Sequence, residues 1–361
     1  MEKQPFHIPS LDGFRTIAFL IVFLSHAGLD NYVPGGFGVT IFFFLSGYLI
    51  TTLLRREHGK TGTISFDAFY KRRMIRIWPA FYFVLGLGTV ATLAGLLPGD
   101  IRLMPMLGQI LHLANYQQIF SNGGGTPAGT GVYWSLAVEE HFYLIFPLLY
   151  FLLLRLRCRV ATQAIVLLSL CTAVLAWRIY LVRVLHVDDL NDHRTFYATD
   201  TRLDSILFGC VLAVFHNPVL DSPAGSDRLW KFVLLPAGVA GLAFALFYRN
   251  PAFRETFRYT LQGLALGPVF VAAIRWPKWC PFSILNWKWV RAMGVLTYPL
   301  YLVHFTVLVA VREALPHAHP ILQGLAAFGV SLLWALAIHR FVELPASRFF
   351  RRSKPPSTGA A

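Results

Sequence analysis

Charge is what this sequence has least of. Only 14% of its 361 residues are Asp, Glu, Lys or Arg, against about 25% in soluble domains. With 56% hydrophobic residues beside that shortage, the chain lacks the polar surface for a sizeable water-soluble domain. Acidic residues are the scarcer sign, 18 against 32 Lys and Arg, for a net charge of +14. That excess does not point to nucleic acid, because the basic residues fall in short loops between apolar runs, as the positive-inside rule expects. Cysteine is scarce as well. Cys158, Cys171, Cys210 and Cys280 are scattered and show neither metal-ligand nor disulfide spacing, so neither a metal site nor a disulfide framework is expected. No repeat of fixed period and no low-complexity tract occurs. No clean small-x-small cleavage site follows the first apolar run, Ile17–Ala27, which therefore reads as an uncleaved helix rather than a signal peptide.

Abundant instead are apolar runs of about 17–25 residues, the length that crosses a hydrocarbon core. Ten spans are expected, at Phe14–Leu29, Phe37–Leu54, Ile75–Leu97, Tyr133–Leu154, Val160–Val182, Ala198–Phe215, Phe232–Tyr248, Thr256–Ile274, Val290–Val311 and Ile321–Val342. Leu103–Ala114 is too short to cross and reads as a short or re-entrant helix. The expected fold is an all-α polytopic membrane bundle, one membrane domain over residues 1–352 with a disordered tail at 353–361. Arg55, Arg56, Lys60, Lys71, Arg72, Arg73 and Arg76 mark the second connection as cytoplasmic, which places the N-terminus inside. Arg155, Arg157 and Arg159, then Lys278, Lys288 and Arg291, and finally Arg348, Arg351, Arg352 and Lys354 fall on the same side, so both termini are expected in the cytoplasm. The charge-free stretch from Asn115 to Val132, with its glycine run Gly123–Gly125, suits a flexible outer loop. Arg249, Arg254 and Arg258 are the misfits, basic residues that this topology puts outside. A bacterial inner membrane is the expected location.

Ionisable groups inside apolar runs cost at least a few kcal/mol each and mark function by default. Arg15 and His26 stand eleven residues apart on the first helix. At about 100° per residue they share one face, roughly 16 Å apart along the axis. Arg73 and Arg76 sit three apart where the third span begins, and the planar guanidinium fork suits phosphate. The fourth span opens with Glu139, Glu140 and His141 in a row. Glu139 falls near the depth of His26, where a carboxylate would orient the imidazole. The sixth span carries Asp200, Arg202 and Asp204. Residues two apart do not face each other on a helix, so Arg202 and Asp204 should each find a partner on another helix. The ninth carries Tyr298, Tyr301 and His304. For each there is a plainer reading: a snorkelling end residue for Arg15, a packing histidine for His26, a polar clamp between helices for the rest. Together they form an inner-edge basic zone of Arg15, Arg73 and Arg76 and an outer-half zone of His26, Glu139, Asp204 and His304. A donor with a phosphate-rich head and a long thin arm, coenzyme A above all, would fit between zones roughly 16 Å apart.

These pieces, in this order, resemble the membrane-bound acyltransferase family 3. The matching segments are Leu11–Arg15 followed by His26, Gly35–Val39 with Phe42–Thr51, Phe69–Pro79 containing Arg73 and Arg76, Trp134–Tyr143, Thr201–Gly209, Tyr298–His304 and Arg340–Pro345. The resemblance implies an acyl-coenzyme A co-substrate, usually acetyl-CoA, with no tightly bound cofactor. It also implies an acceptor hydroxyl on a sugar, such as a lipid-linked or surface glycan of lipopolysaccharide O-antigen or exopolysaccharide, with a secondary metabolite such as a macrolide as the alternative. It implies His26 as the base, Arg15, Arg73 and Arg76 as donor contacts and Glu139 as a further site residue. Arg202, Asp204, His304 and Tyr298 are left as substrate contacts or supports. Many members carry an added hydrolase-like domain, and this chain reads as a stand-alone form. Thr40 departs from the family where an acidic residue is common, and His141 where glutamine is common.

Two mechanisms are open. His26 either removes the acceptor's proton during attack on the thioester or takes the acyl group itself and passes it on. A serine nucleophile is weaker, since Ser25 faces about 100° away from His26 and neither Ser46 nor Ser135 has an evident base. A transporter using the same buried charges is the rival class, against which stand the lack of repeated halves and of paired Gly/Pro-broken helices.

Overall fold

A backbone in hydrocarbon must satisfy its own hydrogen bonds, which a helix does within one segment. The computed structural model describes residues 7–121, 124–187, 193–222 and 225–352, and every regular element among them is helical. The tail expected to be disordered, 353–361, lies outside the described residues, as do Gly123 and Lys354. In chain order the α-helices are α1 Pro9–Leu24, α2 Gly35–Thr61, α3 Phe66–Leu93, α4 Leu103–Ile110, α5 Ala114–Ser121 and α6 Trp134–Arg155. Then come α7 Val160–Arg183, α8 Arg194–Tyr197, α9 Thr199–Val214, α10 Asp227–Leu229, α11 Leu235–Phe247 and α12 Pro251–Glu255. The last four are α13 Phe257–Arg275, α14 Lys288–Ala314, α15 Pro320–Ile338 and α16 Leu344–Arg352.

Among the described residues nine helical segments are long and apolar enough to cross a membrane. They coincide with nine of the ten expected spans. The tenth, α9, has only 16 residues, and α4, with 8 residues, is the short helix expected at Leu103–Ala114. The chain is thus an all-α, multi-pass membrane protein.

The described residues group into two compact units. The first is built from Met1–Ile64, Leu111–Gly123 and Tyr133–Val295. At its centre α2 and α9 run side by side in the same direction. Phe196 lies over Gly36, Arg202 Nη2 donates to Thr40 Oγ1 at 3.1 Å, Cys210 Sγ meets the Gly47 carbonyl at 3.6 Å and Asn217 Nδ2 donates to Thr52 Oγ1 at 2.9 Å. Lipid is as apolar as leucine, so membrane helices associate through close backbone approach and polar contacts. Gly47 and Gly209 supply the approach: a Cβ on Gly47 would strike the Ile206 carbonyl, and one on Gly209 the Phe44 carbonyl.

This parallel run carries α9, short as it is, alongside the greater part of α2. Beyond its C-terminus Asp221 accepts both Nη groups of Arg55, at 3.0 and 2.7 Å, near the far end of α2. Burial opposes ionisation of Asp221, but the Arg55 fork and the Asn217 backbone amide outweigh it and hold the carboxyl below the usual range. At the opposite end, residues from the α1–α2, α7–α9 and α11–α13 connections line one cleft. Three connections meet at one end only if α9 and α11 both run the full distance between. Around this pair pack α1, α7 and α13, with Phe14 stacked on Phe270 at 4.1 Å and Phe270 against Phe44 at 4.6 Å.

The second unit comprises Ser65–Ile110, Gly124–Val132 and Leu296–Ala361. In it α3 packs on α16 and on the π turn His339–Glu343. The segment before α6 is stitched to α14: Tyr301 donates to the Val132 carbonyl at 3.1 Å and Thr306 to the Ala128 carbonyl at 2.9 Å.

Candidate active site

The first unit holds Arg15, His26, Glu139, Arg202 and Asp204. On α1, Arg15 is half-buried and its Nη1 donates to Asp12 Oδ1 at 2.5 Å, one turn earlier. His7 Nε2 meets the other carboxylate oxygen of Asp12 at 2.5 Å. The aspartate of the first motif is therefore a buried anion shared by two potential cations, which fixes where the guanidinium is held.

His26 lies one residue into a π turn, Ser25–Leu29, that closes at Gly28 with φ 103°. The shared-face estimate for Arg15 and His26 assumed 3.6 residues per turn throughout. That period holds only to Leu24, after which the turn widens, a feature that recurs at functional sites. The left-handed backbone at Gly28 is one that glycine adopts without steric cost. His26 is half-buried.

Glu139 sits on α6, where Ser46 Oγ donates to its Oε1 at 2.9 Å and Tyr143 OH to its Oε2 at 3.0 Å. Tyr143 OH also lies 3.3 Å from Ser46 Oγ, closing a triangle. Ser46, expected to lack a base, thus faces a carboxylate. The contact joins residues 93 apart in sequence, so no local spacing could announce it. Next on α6, His141 Nδ1 lies 2.7 Å from Thr199 Oγ1, which also accepts from Asn115 Nδ2 at 3.0 Å. Its neighbour His112 is buried in the turn between α4 and α5. Desolvation, with a smaller push from His141, lowers its pKa to about 4.

Arg202 and Asp204 find the separate partners their spacing required. Asp204 forms a wholly buried, bidentate pair with Arg178 of α7, at 2.9 and 2.6 Å. Arg178 further donates from Nε to the Thr256 carbonyl at 2.9 Å and to Thr260 Oγ1 at 2.5 Å, and Thr260 donates to Asp204 Oδ2 at 2.8 Å. Both charges are saturated by protein, and the pair ties α9 to α7. Arg178 was missed from the sequence, although a charge inside the predicted span Val160–Val182 was signal enough.

Arg202 is fully buried and forms no ion pair among the described residues. Its guanidinium lies 3.9 Å from the Tyr259 ring and 5.4–5.6 Å from Phe196, Phe43 and Trp134. Cation–π attraction takes the place of a carboxylate. Thr40 receives one of its N–H groups, a neutral acceptor where an acidic residue would have supplied a counter-charge.

In the second unit, α3 carries Arg73, half-buried, and Arg76, exposed. Tyr298 donates to the Ile77 carbonyl at 2.8 Å, tying α14 to α3 one residue beyond Arg76. His304 is fully buried, with Nδ1 2.8 Å from the Tyr301 carbonyl. A carbonyl can only accept, so Nδ1 carries the proton.

Comparison with known proteins follows these motifs. Residues 8–340 match the family model described as an acyltransferase domain. The chain is 31% identical over 358 residues to the peptidoglycan O-acetyltransferase OatA of Listeria monocytogenes, covering 94% of this chain and 56% of that protein. It is 30% identical to the putative peptidoglycan O-acetyltransferase YrhL of Bacillus subtilis, with 94% and 55% covered. Against the O-acetyltransferase OatA of Staphylococcus aureus the identity is 29%, with 96% and 58% covered. The chain spans just over half the length of these curated relatives. No solved structure matches it significantly. With the match covering the segments that carry Arg15, His26, Arg73, Arg76 and Glu139, this multi-pass membrane chain belongs to the acyltransferase-domain family.

Proposed function

We propose that this chain transfers an acetyl group from acetyl-coenzyme A to a hydroxyl of a cell-surface glycan, working in the plasma membrane of a bacterium. The observation that carries this is where the similarity lies: the helical bundle itself is what matches relatives named O-acetyltransferases. Their names favour a peptidoglycan-type glycan as the acceptor over O-antigen, exopolysaccharide or a macrolide.

His26 takes the role of base. As the acceptor oxygen attacks the thioester carbonyl, its proton passes to the imidazole, the C–S bond breaks and the thiolate leaves with the proton His26 returns. The alternative, an acyl-histidine, uses the same nitrogen as nucleophile. Glu139 orients the site as an anion held by Ser46 and Tyr143. Arg15, steadied by Asp12, is assigned to the phosphates of the donor, and the guanidinium forks of Arg73 and Arg76 suit the same chemistry.

The test is transfer and hydrolysis of radiolabelled acetyl-CoA by purified protein in liposomes, with His26→Ala and Arg73→Ala beside wild type and peptidoglycan fragments supplied. Turnover that His26→Ala abolishes at unchanged melting temperature supports the assignment. Absence of any acyl-CoA binding or turnover by well-folded wild-type protein, with solute flux in the same liposomes, would replace it with a transporter.

A further inference from the structure

The three arginines that break the expected charge topology come together. Arg249, Arg254 and Arg258 line one cleft of about 500 Å³, within the range of about 300–1,000 Å³ typical of small-molecule sites. Asp30 contributes the one carboxylate of the lining. Tyr32, Phe37, Phe196, Tyr197 and Tyr259 supply flat apolar walls. Ser25, the first residue of the π turn and the neighbour of His26, stands at its edge.

Two residues of this lining each carry a buried polar atom without a protein partner. Gln262 is 2% exposed, and its Oε1 accepts no hydrogen bond. Arg258, one turn earlier on the same face of α13, has a buried Nε with no acceptor, although its Nη2 reaches the Tyr259 hydroxyl at 2.6 Å. Burying an acceptor or donor with no hydrogen bond is costly, and a ligand that supplies a hydroxyl to one and an oxyanion to the other satisfies both. Behind the wall, Arg202 adds a fourth positive charge 3.9 Å from the Tyr259 ring and without an ion-pair partner among the described residues. The local field is thus strongly positive, at an end of the bundle where charge bias alone would have placed no arginines.

Building on the acyltransferase assignment, we infer that this cleft is the acceptor site and that it selects an acidic glycan, gripping a carboxylate or phosphate through Arg254 and Arg258 while a sugar hydroxyl donates to Gln262. The flat walls suit sugar rings, and the seat beside the π turn brings an acceptor hydroxyl toward the turn that carries His26.

The test uses full-length protein in nanodiscs with acetyl-CoA and three acceptors of equal length: a neutral oligosaccharide, its carboxylate-bearing counterpart and its lipid-diphosphate form. Wild type should prefer one acidic acceptor to the neutral one, and which of the two identifies the anion. Arg258→Gln and Arg254→Gln should raise KM for that acceptor about ten-fold or more, with a much smaller effect on kcat, while Arg258→Lys recovers part of the loss. Retained transfer with KM unchanged in both Gln variants, or equal use of the neutral acceptor, overturns the inference. So does a melting temperature that follows the anionic-lipid content of the nanodisc while KM stays fixed, since the arginines would then be lipid contacts. If no acceptor is acetylated, the enzymatic assignment fails on its own. Acceptor binding, read by tryptophan fluorescence in wild type and Arg258→Gln, still decides whether the cleft holds an acidic glycan.

Discussion

Arg178 and Asp204 meet fork to fork, at 2.9 and 2.6 Å, with neither side chain reachable by solvent. The pair joins α7 to α9, and Thr256 and Thr260 complete its hydrogen bonding from the α13 side. Removing one partner strands the other charge, which costs about 3–5 kcal/mol, whereas an apolar replacement of both is often neutral. Asp204→Asn and Arg178→Met should each lower the detergent melting temperature sharply, and Arg178→Met with Asp204→Leu should recover most of it. Single variants that melt like wild type would remove the pair's structural role.

Glu139→Gln keeps the shape of the side chain and removes its charge. Ser46 and Tyr143 can still donate to the remaining carbonyl oxygen, so the fold should melt within a few degrees of wild type. Acetyl transfer should fall by about two orders of magnitude, the scale of a lost electrostatic contact in a site. Ser46→Ala should cost about ten-fold or less, because Tyr143 still holds the carboxylate. A larger loss in Ser46→Ala than in Glu139→Gln would instead mark the serine as the reacting group.

At Gly209 a single added methyl has nowhere to go, with the Phe44 carbonyl in its place. Overpacking of this kind typically costs about 1–3 kcal/mol, so Gly209→Ala should melt lower than wild type. Gly267→Ala, where a Cβ meets nothing within 4 Å, should not, and serves as the control in the same melting series.

The imidazole of His112 is held neutral, with its pKa pushed down to about 4 from an ordinary 6.5. A group whose folded pKa lies below its unfolded value contributes stability above the unfolded pKa and loses it as pH falls toward the folded one. The window here runs from about pH 6.5 down to about 4. Each ten-fold change in the protonation equilibrium is worth roughly 1.4 kcal/mol, so up to about 2 kcal/mol of stability should go between about pH 7.5 and pH 5. His112→Asn, which tolerates the left-handed backbone at φ 55°, should flatten that dependence. An equal slope in the variant would assign it elsewhere.

Most of the bundle was legible because a membrane span is a one-dimensional signal: length and hydropathy located nine helices, and the short α4 followed from its own length. The same counting located α9, but only its three-dimensional neighbours show that it runs beside α2. The separate partners of Arg202 and Asp204 followed from spacing, since side chains two apart diverge on a helix. What spacing cannot carry is contact at a distance. The Ser46–Glu139 bond joins α2 to α6, and the π turn at His26 depends on how the chain leaves α1. Arg249, Arg254 and Arg258 were visible as anomalies and became a site once α12 and α13 folded against the loop after α1.

The brevity of α9 brings the polar groups at its two ends close together within this protein. Sixteen residues at 1.5 Å each reach about 24 Å, some 6 Å less than a typical hydrocarbon core. Its ends are met by the polar Asp200 and Asn217, and α2 beside it is bonded to it along that length. Buried at the centre of the first unit, α9 meets protein rather than lipid along most of that length. Along the axis from the cleft of arginines to the Arg55–Asp221 pair, the polar groups at the two ends of α9 therefore stand closer together than the two faces of a typical hydrocarbon core.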